Sequence, residues 1–221
     1  MIDAIYAVIT ADTLPLPRPL LLGINGAYTA GKTEFANGLE SHLNALGTKT
    51  QLIHYDDFHR PFDTITWVDP DDEIDAFYNR AFDPDKLIRE VFEPLHQYGH
   101  LKTTLDCVNL GTGEFTNRVD IDIDDHTIIL IEGALLLRPP ILDHLDYTVY
   151  LDIAPDEMIR RGWLRDAPRF GDWIMDKYAS RYIPVHQCYE SDHKPKTTAD
   201  ILIDNTDWRN PVITRKRGAS S

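Results

Sequence analysis

The sequence predicts an α/β fold, an open sheet of five parallel strands with helices on both faces. Apolar runs of strand length alternate along the chain with longer segments whose apolar residues recur at helical spacing. Three short motifs with glycine or acidic residues directly follow apolar strands, at the edge where open parallel sheets bind ligands. With 221 residues, 43% of them apolar, the chain is expected to form a single domain spanning 1–221.

The first half of the chain gives two strands and one helix. PLLLGIN, residues 19–25, is a continuous apolar run typical of a strand buried on both faces. A helix is predicted from Lys32, with Phe35, Leu39 and Leu43 at helical spacing, and Gly47 ends it. TQLIHYDDF is the second strand, with two aspartates at its carboxyl end. Residues 61–83 are rich in proline and aspartate, which predicts an irregular loop with one helical turn.

The second half begins with a helix in DPDKLIREVFEPLHQYG, where Pro84 suits an N-terminal helical position. Alternating residues on either side of GTG predict a β-hairpin insertion at about 100–123. HTIILIEG, LDYTVYLDI and ADILIDN are the third, fourth and fifth strands. Helices are predicted from Pro155 and in DWIMDKYASRYIPVHQCYE, which Pro184 is expected to bend. The basic tail RNPVITRKRGASS is expected to be loose.

Charge and composition argue against several classes of partner. The chain has 22 basic and 36 acidic residues and a net charge of -14, whereas nucleic acids and anionic membranes select basic surfaces. No apolar run approaches the ~20 residues of a membrane span, and the first twenty residues lack the basic segment of a signal peptide. We therefore expect a cytoplasmic protein with a small-molecule substrate. The oligomeric state stays open.

The stretch GAYTAGKT, residues 26–33, has the pattern G-x-x-x-x-G-K-T of a phosphate-binding loop, or P-loop. Gly26 and Gly31 permit backbone conformations and close approaches that side chains forbid. The loop N–H groups can then surround an anion, and the following helix adds the positive end of its dipole. Lys32 is expected to reach the β- and γ-phosphates, and the Thr33 hydroxyl to bind Mg²⁺. The predicted nucleotide-binding residues here are Gly26, Ala27, Tyr28, Thr29, Ala30, Gly31, Lys32, Thr33 and Glu34.

A P-loop predicts an ATP or GTP site but does not separate kinases from hydrolases and switches. GTPases usually carry an N-K-x-D guanine-binding motif, for which this chain has only NTDW, and a D-x-x-G switch, where it has ILIEG. Both differences argue against a GTPase. The order of the remaining motifs therefore matters more than the P-loop itself.

GAYTAGKT, DDFH after the second strand and IEGALL after the third, in that order, resemble the uridine kinase / phosphoribulokinase superfamily of P-loop kinases. RRGWLRDAPRFGD is similar to the arginine-rich lid of that family, and ADILIDNTDW to its last strand and adenine-side loop. The resemblance covers about residues 20–208. It implies a single kinase domain with the P-loop NTPase fold, the hairpin insertion, a helical lid at about 160–180, and ATP with Mg²⁺ as cofactors.

The resemblance also implies roles for individual residues. Asp56 matches the general base that takes the proton of the acceptor hydroxyl. Asp57 is the second choice, because its side chain would point elsewhere along an extended chain. Glu132 matches the acidic residue that holds Mg²⁺ directly or through water. Asn205 and Asp207 fall in the adenine-side loop and are expected to bind the nucleotide.

A cluster of arginines makes the predicted lid locally positive in an otherwise acidic chain. Lid arginines can neutralise the transferring phosphoryl group, although a solvated helix face with acidic i,i+4 partners would look the same. Arg165 and Arg169 match the family's lid arginines best and are expected to be catalytic, with Arg169 also contacting substrate. The cluster comprises Arg160, Arg161, Arg165, Arg169 and Arg181.

The acceptor side departs from the family pattern. Leu105 and Leu110 stand where pyrimidine nucleoside kinases carry a tyrosine and a histidine that face the base. His59 replaces a more usual aromatic residue and could stack on the substrate or donate to it. The ribose needs a carboxylate, for which Asp83 and Asp75 are both candidates.

The expected function is ATP-dependent phosphorylation of a hydroxyl of a nucleoside such as uridine or cytidine. Two alternatives stay open: a kinase for another small alcohol, such as pantothenate or nicotinamide riboside, and a non-catalytic nucleotide-binding regulator. The presence of Lys32, Thr33, Asp56 and Glu132 together argues against the regulator, which would not need all four. Whether ATP or GTP is preferred is not predicted.

Overall fold

The computed structural model describes residues 2–62 and 73–217, and all of the helices and strands below lie within those ranges. Its strands are β1 Leu20–Gly26, β2 Thr50–His54, β3 Leu101–Asn109, β4 Glu114–Ile123, β5 Ile128–Glu132, β6 Tyr147–Asp152, β7 Ile201–Asp204 and β8 Val212–Lys216. Its helices are α1 Ile2–Thr13, α2 Lys32–Ala45, α3 73–80, α4 84–98, α5 Pro155–Phe170, α6 174–193 and α7 Pro195–Thr198. Tyr55–Phe58 and Ile141–His144 form single 3-10 turns.

Six strands form one sheet in the order β2-β5-β1-β6-β7-β8. The five predicted strands run parallel, and β8 adds an antiparallel strand beside β7. Neighbouring residues of β1 point to opposite faces. Leu20 and Leu22 pack with α1 and α2, while Leu21 packs with α4, the hairpin and α6. The prediction of a parallel sheet covered on both faces is confirmed.

The predicted β-hairpin is formed by β3 and β4, which pair antiparallel from Leu101 opposite Ile123 to Asn109 opposite Glu114. Ile121 and Ile123 point into the core shared with α4, so one face of the hairpin is buried. At its turn, the Gly113 carbonyl accepts a hydrogen bond from the Phe62 N–H at 3.1 Å. The hairpin thus packs against the segment that follows β2.

Helices α4 and α6 each contain a π-helical turn immediately before a proline-containing segment. The turn Ile88–Phe92 precedes Pro94, and Tyr178–Tyr182 precedes Pro184. Proline lacks an N–H and its ring clashes with the carbonyl four residues earlier, so the regular hydrogen-bond ladder cannot continue through it. The irregularity predicted at Pro184 therefore takes the form of a π-helical turn within one long helical stretch.

The prediction of a loose C-terminal tail is wrong for residues 212–216, which form β8. Ile213 pairs with Ile203 of β7, and the Lys216 ammonium lies 2.6 Å from the Asp12 carboxylate of α1. The prediction relied on the basic residues of the tail and overlooked the run Val212–Ile213–Thr214. These three residues are β-branched, a residue type that favours strands. Helix α1 is a further element that the sequence did not predict, and its Ile5 and Ile9 are buried against the sheet.

The segment predicted as an irregular loop, residues 61–83, is helical from 73 to 80. Residues 63–72 of that prediction lie outside the described residues. Within 2–62 and 73–217, no helix combines the length and the apolar character needed to cross a membrane.

Candidate active site

The P-loop connects β1 to α2 at the carboxyl edge of the sheet. Gly26 lies so close to β6 that a side chain there would collide with the Leu151 carbonyl. Gly31 precedes α2 with a φ of 83°, a left-handed conformation that favours glycine. The Lys32 ammonium lies over the loop and donates to the Ala27 carbonyl at 3.0 Å. Burial lowers the pKa of Lys32, while the negative charges of Glu132 and Asp56 act in the opposite direction.

Side chains from β7 and α5 hold the P-loop in place. The Asn205 side-chain amide donates to the Ala30 carbonyl at 2.7 Å. Arg161 of α5 donates to the carbonyls of Asn205 and Thr206 at 2.7 and 2.9 Å, and the Thr29 hydroxyl donates to the Met158 carbonyl at 3.0 Å. Asn205, which was predicted to bind the nucleotide, therefore contacts the P-loop. Asp207, also predicted, accepts from the Arg209 N–H and the Asn210 amide in the next turn.

An oxygen pair lies beside the start of α2. The Thr33 hydroxyl donates to the Glu132 carboxylate, Oγ1 to Oε1, at 3.1 Å. Magnesium prefers oxygen ligands and keeps several positions for phosphate and water, so it is commonly held by only one or two protein groups. The described residues hold no cluster of three or more His, Cys, Asp or Glu suited to a metal. Thr33 and Glu132 thus fit Mg²⁺ as predicted ligands.

His54 is a site residue that the sequence did not predict. It ends β2, pairs in register with Glu132 of β5, and its Nδ1 lies 2.7 Å from Glu132 Oε1. That hydrogen bond raises the pKa of His54. Glu132 is 5% exposed, and His54 and Thr33 both contact the same carboxylate oxygen, Oε1. The signal in the sequence was the place of His54 at the carboxyl end of a strand, two residues before the predicted Asp56.

Asp56 and Asp57 follow β2 in the 3-10 turn Tyr55–Phe58, so the expectation that they belong to an extended chain is wrong. Successive residues of such a turn point in directions about 120° apart, and the two side chains still separate. Asp57 accepts a hydrogen bond of 2.8 Å from Asn117 of the hairpin. Asp56 is exposed in the cleft. Desolvation by the protein atoms around its carboxylate, followed by the charge of Glu132, raises its pKa.

The predicted acceptor residues lie on the hairpin side of Asp56. His59 is 7% exposed and its ring contacts Phe62 and Phe82 at centroid distances of 5.4 and 5.0 Å. Its Nδ1 donates to the Arg60 carbonyl at 3.1 Å, and burial lowers the pKa of its ring, which favours the neutral form. Asp83 caps α4 by accepting from the Lys86 N–H, and Arg60 also donates to it.

Three other predicted positions contribute no polar group to this region. Asp75 is exposed and accepts from the Asn79 amide at 2.7 Å. Leu105 is buried in the core at 5% exposure, and Leu110 at the hairpin turn is 47% exposed. The two leucines therefore do not supply base-facing hydrogen bonds.

The arginine cluster is mostly paired. Arg165 forms hydrogen bonds of 2.8 and 2.9 Å with Asp166, and Arg181 forms an ion pair with Glu73 of α3. Arg169 is exposed, with its guanidinium 5.3 Å from the Phe170 ring centroid. Arg165 lines the cavity beside the P-loop, and Arg169 is not among the residues lining it.

A cavity of about 850 Å³ lies between the P-loop, α5 and α1, and we call it the P-loop cavity. Of the predicted nucleotide-binding residues, Thr29, Gly31, Glu34 and Asn205 line it. Its apolar lining comes from Ile2, Tyr6, Phe35, Leu164 and Trp208. The part contributed by α1 was not predicted, because an N-terminal helix carries no motif that ties it to a distant loop.

A phosphate-binding loop, an oxygen pair suited to Mg²⁺ and an ionisable carboxylate beside them, all at the carboxyl edge of a parallel sheet, define the class of P-loop kinases. Residues 21–205 match the model of the phosphoribulokinase / uridine kinase family, and the chain belongs to that family. It is accordingly a phosphotransferase with an alcohol group as acceptor. Membership implies the use of ATP and Mg²⁺.

Relatives and solved structures agree with this assignment. The chain is 27% identical over 193 residues to the uridine kinase of Listeria monocytogenes serotype 4a (strain HCC23), covering 84% of this chain and 87% of that one. A Bacillus stearothermophilus structure described as a possible uridine kinase is 23% identical, with a TM-score of 0.70 over 91% of this chain and 96% of that one. The D-glycerate 3-kinase from Cryptococcus neoformans var. grubii has a TM-score of 0.53 at 15% identity, over 84% and 85% of the chains. The two structures show the shared fold.

Proposed function

We propose that the protein is an ATP- and Mg²⁺-dependent kinase that transfers the γ-phosphate to a hydroxyl of a nucleoside such as uridine or cytidine. The observation that carries the proposal is the convergence of Lys32, the Thr33–Glu132 pair and Asp56 in one cleft, close enough for their charges to act on one another. The nucleoside as acceptor is supported by the uridine kinase relatives, of which the one from Listeria monocytogenes is 27% identical.

Phosphoryl transfer needs positioning and charge neutralisation more than covalent chemistry from the protein. In the proposed reaction the P-loop amides and Lys32 bind the β- and γ-phosphates, and Thr33 and Glu132 hold Mg²⁺, which neutralises phosphate charge when bound. Asp56 accepts the proton of the attacking hydroxyl. Arg165 adds positive charge from α5.

The remaining predicted residues take supporting roles in this proposal. Arg169 is exposed in the present structure. We propose that it joins Arg165 at the phosphoryl group when the lid of about 160–180 closes. His59 and Asp83 bind the acceptor beside Asp56. Asn205 holds the P-loop, and Asp207 shapes the loop next to the donor base.

A second candidate is a kinase for another alcohol, such as pantothenate or nicotinamide riboside. It is favoured by Leu105 and Leu110, of which one is buried in the core and the other exposed at the hairpin turn. Polar atoms of a pyrimidine base would need partners that these positions do not give, and unpaired polar atoms are costly. The fold shared with a D-glycerate 3-kinase is compatible with an acceptor that has no base.

The test is acceptor-dependent ADP release from Mg·ATP with a panel of uridine, cytidine, other ribosides, pantothenate, nicotinamide riboside and D-glycerate. The control is Lys32→Ala, with circular dichroism to check its fold. Highest turnover with uridine or cytidine, lost in Lys32→Ala, would support the nucleoside kinase. Turnover with pantothenate, nicotinamide riboside or D-glycerate but not with uridine or cytidine would select the second candidate. Wild-type turnover in Lys32→Ala would overturn the proposed site.

A further inference from the structure

Tyr28 occupies one of the variable positions of the P-loop, and its hydroxyl is an unusual feature. The phenol oxygen is fully buried and has no hydrogen-bond partner among residues 2–62 and 73–217. Leaving a buried hydroxyl unpaired is costly, and native structures rarely do so without a reason. Phenylalanine would fill the same space without that cost. The hydroxyl therefore calls for an explanation in terms of a partner that binds from outside the chain.

The Tyr28 ring does not line the P-loop cavity, to which the loop contributes Thr29, Gly31 and Glu34. It contacts an aromatic wall formed by Phe77 of α3 and Tyr182 and His186 of α6. The centroid distances are 5.0 Å to Tyr182, 6.4 Å to His186 and 6.5 Å to Phe77. Tyr28 thus reaches from the phosphate-binding loop toward α3 and α6.

Charged side chains, including that of Asp56, act on this phenol. Burial raises the pKa of Tyr28, and the negative charge of Asp56 raises it further, while Arg138 and Arg181 lower it. The Arg181 guanidinium also lies 5.5 Å from the Phe77 ring centroid and 6.0 Å from that of Tyr182. The charge of Asp56, the proposed general base, therefore acts on this hydroxyl.

The acceptor side otherwise offers few uncharged polar groups. Leu105 and Leu110 provide none, and Tyr182 and His186 of the aromatic wall add one phenol and one imidazole. An alcohol placed beside Asp56 has further polar atoms that need partners, because binding that leaves them unpaired loses affinity. The Tyr28 hydroxyl lacks a hydrogen-bond partner, and the polar atoms of an acceptor need such partners, so each could supply what the other lacks.

We propose that the Tyr28 hydroxyl binds the acceptor, forming a hydrogen bond to a polar atom of the alcohol other than the hydroxyl that is phosphorylated. This inference rests on the proposed function, since it assumes an acceptor held at Asp56. The phenol oxygen has no solvent contact, so the acceptor reaches it by displacing part of the aromatic wall, Phe77 or Tyr182. Tyr28 is a residue that positions and selects the acceptor, and it also belongs to the loop that binds the donor phosphates.

The experiment is Tyr28→Phe, which removes one oxygen atom and keeps the ring. With uridine as the acceptor probe, or the most active alcohol of the panel if uridine is inactive, its KM should rise about three- to tenfold, as expected for one lost neutral hydrogen bond. The KM for ATP should stay within about twofold, because loop amides and Lys32 carry phosphate binding. At the same time the apo variant should melt about 2–4 °C higher, since a buried unpaired hydroxyl has been removed.

Thr10 provides a matched control, because its hydroxyl in α1 is the other side-chain hydroxyl in the described residues that is buried without a partner. Thr10→Val should also raise the melting temperature but leave both KM values unchanged. A purely structural role for Tyr28 predicts the same result for Tyr28→Phe as for Thr10→Val. A higher melting temperature together with a higher acceptor KM in Tyr28→Phe would distinguish a group that binds the acceptor from a purely structural one.

Two outcomes would overturn the inference while the proposed function stands. One is an unchanged acceptor KM in Tyr28→Phe with an active wild type. The other is a lower melting temperature in Tyr28→Phe, which would mean that the hydroxyl already has a stabilising partner in the free protein. A wild-type protein that phosphorylates none of the alcohols would overturn the proposed function itself, and this inference with it.

Discussion

The Thr33 hydroxyl donates a hydrogen bond to the Glu132 carboxylate at 3.1 Å, although 99 residues separate the two in sequence. The contact joins the first turn of α2 to the last residue of β5. Mg²⁺ is commonly held by one or two protein oxygen ligands together with phosphates. In the proposed reaction, Thr33 and Glu132 would supply those protein oxygens.

Replacing Glu132 with Gln tests this arrangement, because the substitution keeps the size and one oxygen but removes the negative charge. We expect the Mg²⁺ concentration for half-maximal rate to rise about tenfold or more, while ATP without Mg²⁺ binds at least as well. Titration calorimetry with and without Mg²⁺ and a rate titration measure both. Glu114→Gln on the exposed hairpin is the control and should change neither. An unchanged Mg²⁺ requirement in Glu132→Gln would exclude Glu132 as a ligand.

Asp56→Asn should lower the rate by about 10²–10⁴-fold, the usual loss when a general base is removed, with little change in ATP affinity.

Asp56→Asn should also affect stability. Because the pKa of Asp56 is raised in the folded protein, ionised Asp56 destabilises the fold at neutral pH, and Asp56→Asn should be at least as stable as the wild type at pH 7. Asp57→Asn, which alters the hydrogen bond to Asn117, is the matched control and should be mild. If only Asp57→Asn lowered the rate severely, Asp57 rather than Asp56 would be the general base. Losses below about threefold in both would exclude the mechanism.

The pH profile of kcat/KM provides an independent test of Asp56. A general base acts only when ionised, so activity should fall toward acid pH as Asp56 gains a proton. Burial and the charge of Glu132 raise the pKa of Asp56, so the fall should begin above the ordinary aspartate pKa of about 4. Solvent access in the cleft keeps this shift smaller than in a sealed core. This fall in kcat/KM toward acid pH should persist in Asp57→Asn. If it also persisted in Asp56→Asn, the group that titrates would not be Asp56.

Residues of about 160–180 should respond to substrates as a lid. They span most of α5, the turn at Gly171 and the first turns of α6, and Asp166 accepts a hydrogen bond of 2.6 Å from Tyr178 across that turn. Amide hydrogen exchange there should slow when a non-hydrolysable ATP analogue and uridine bind together. Exchange in β8 is the internal control and should not change. Equal exchange with and without ligands would favour a solvated helix face.

Much of the sheet could be predicted because strands buried on both faces appear as continuous apolar runs. β1 and β5 are of this kind, and the P-loop between β1 and α2 has a motif of fixed spacing. β8 could not be predicted in the same way, because an edge strand is half exposed and its sequence is dominated by charge. Helix α1 was missed for a related reason, since nothing near it in sequence shows what its apolar residues cover.

The site was predictable where a motif fixed it and unpredictable where it depends on strand register. Thr33 and Glu132 were matched from local patterns and lie together. His54 joins Glu132 only because β2 and β5 pair in the observed register, and Asn205 contacts the P-loop only because β7 ends beside it. The 3-10 turn at Asp56 shows that the side-chain directions inferred from strand alternation fail where the strand has already ended.

The link between α1 and β8 has a practical consequence for anyone trimming the chain. The family similarity ends at residues 21 and 205, yet Asp12 and Lys216, both outside that range, form an ion pair of 2.6 Å. A protein cut to 21–205 would lose the Ile2 and Tyr6 side of the P-loop cavity. It would also leave β7 as an unprotected sheet edge, a known route to aggregation. Boundaries taken from similarity alone would thus remove part of the cavity beside the P-loop and yield a protein that is harder to keep in solution.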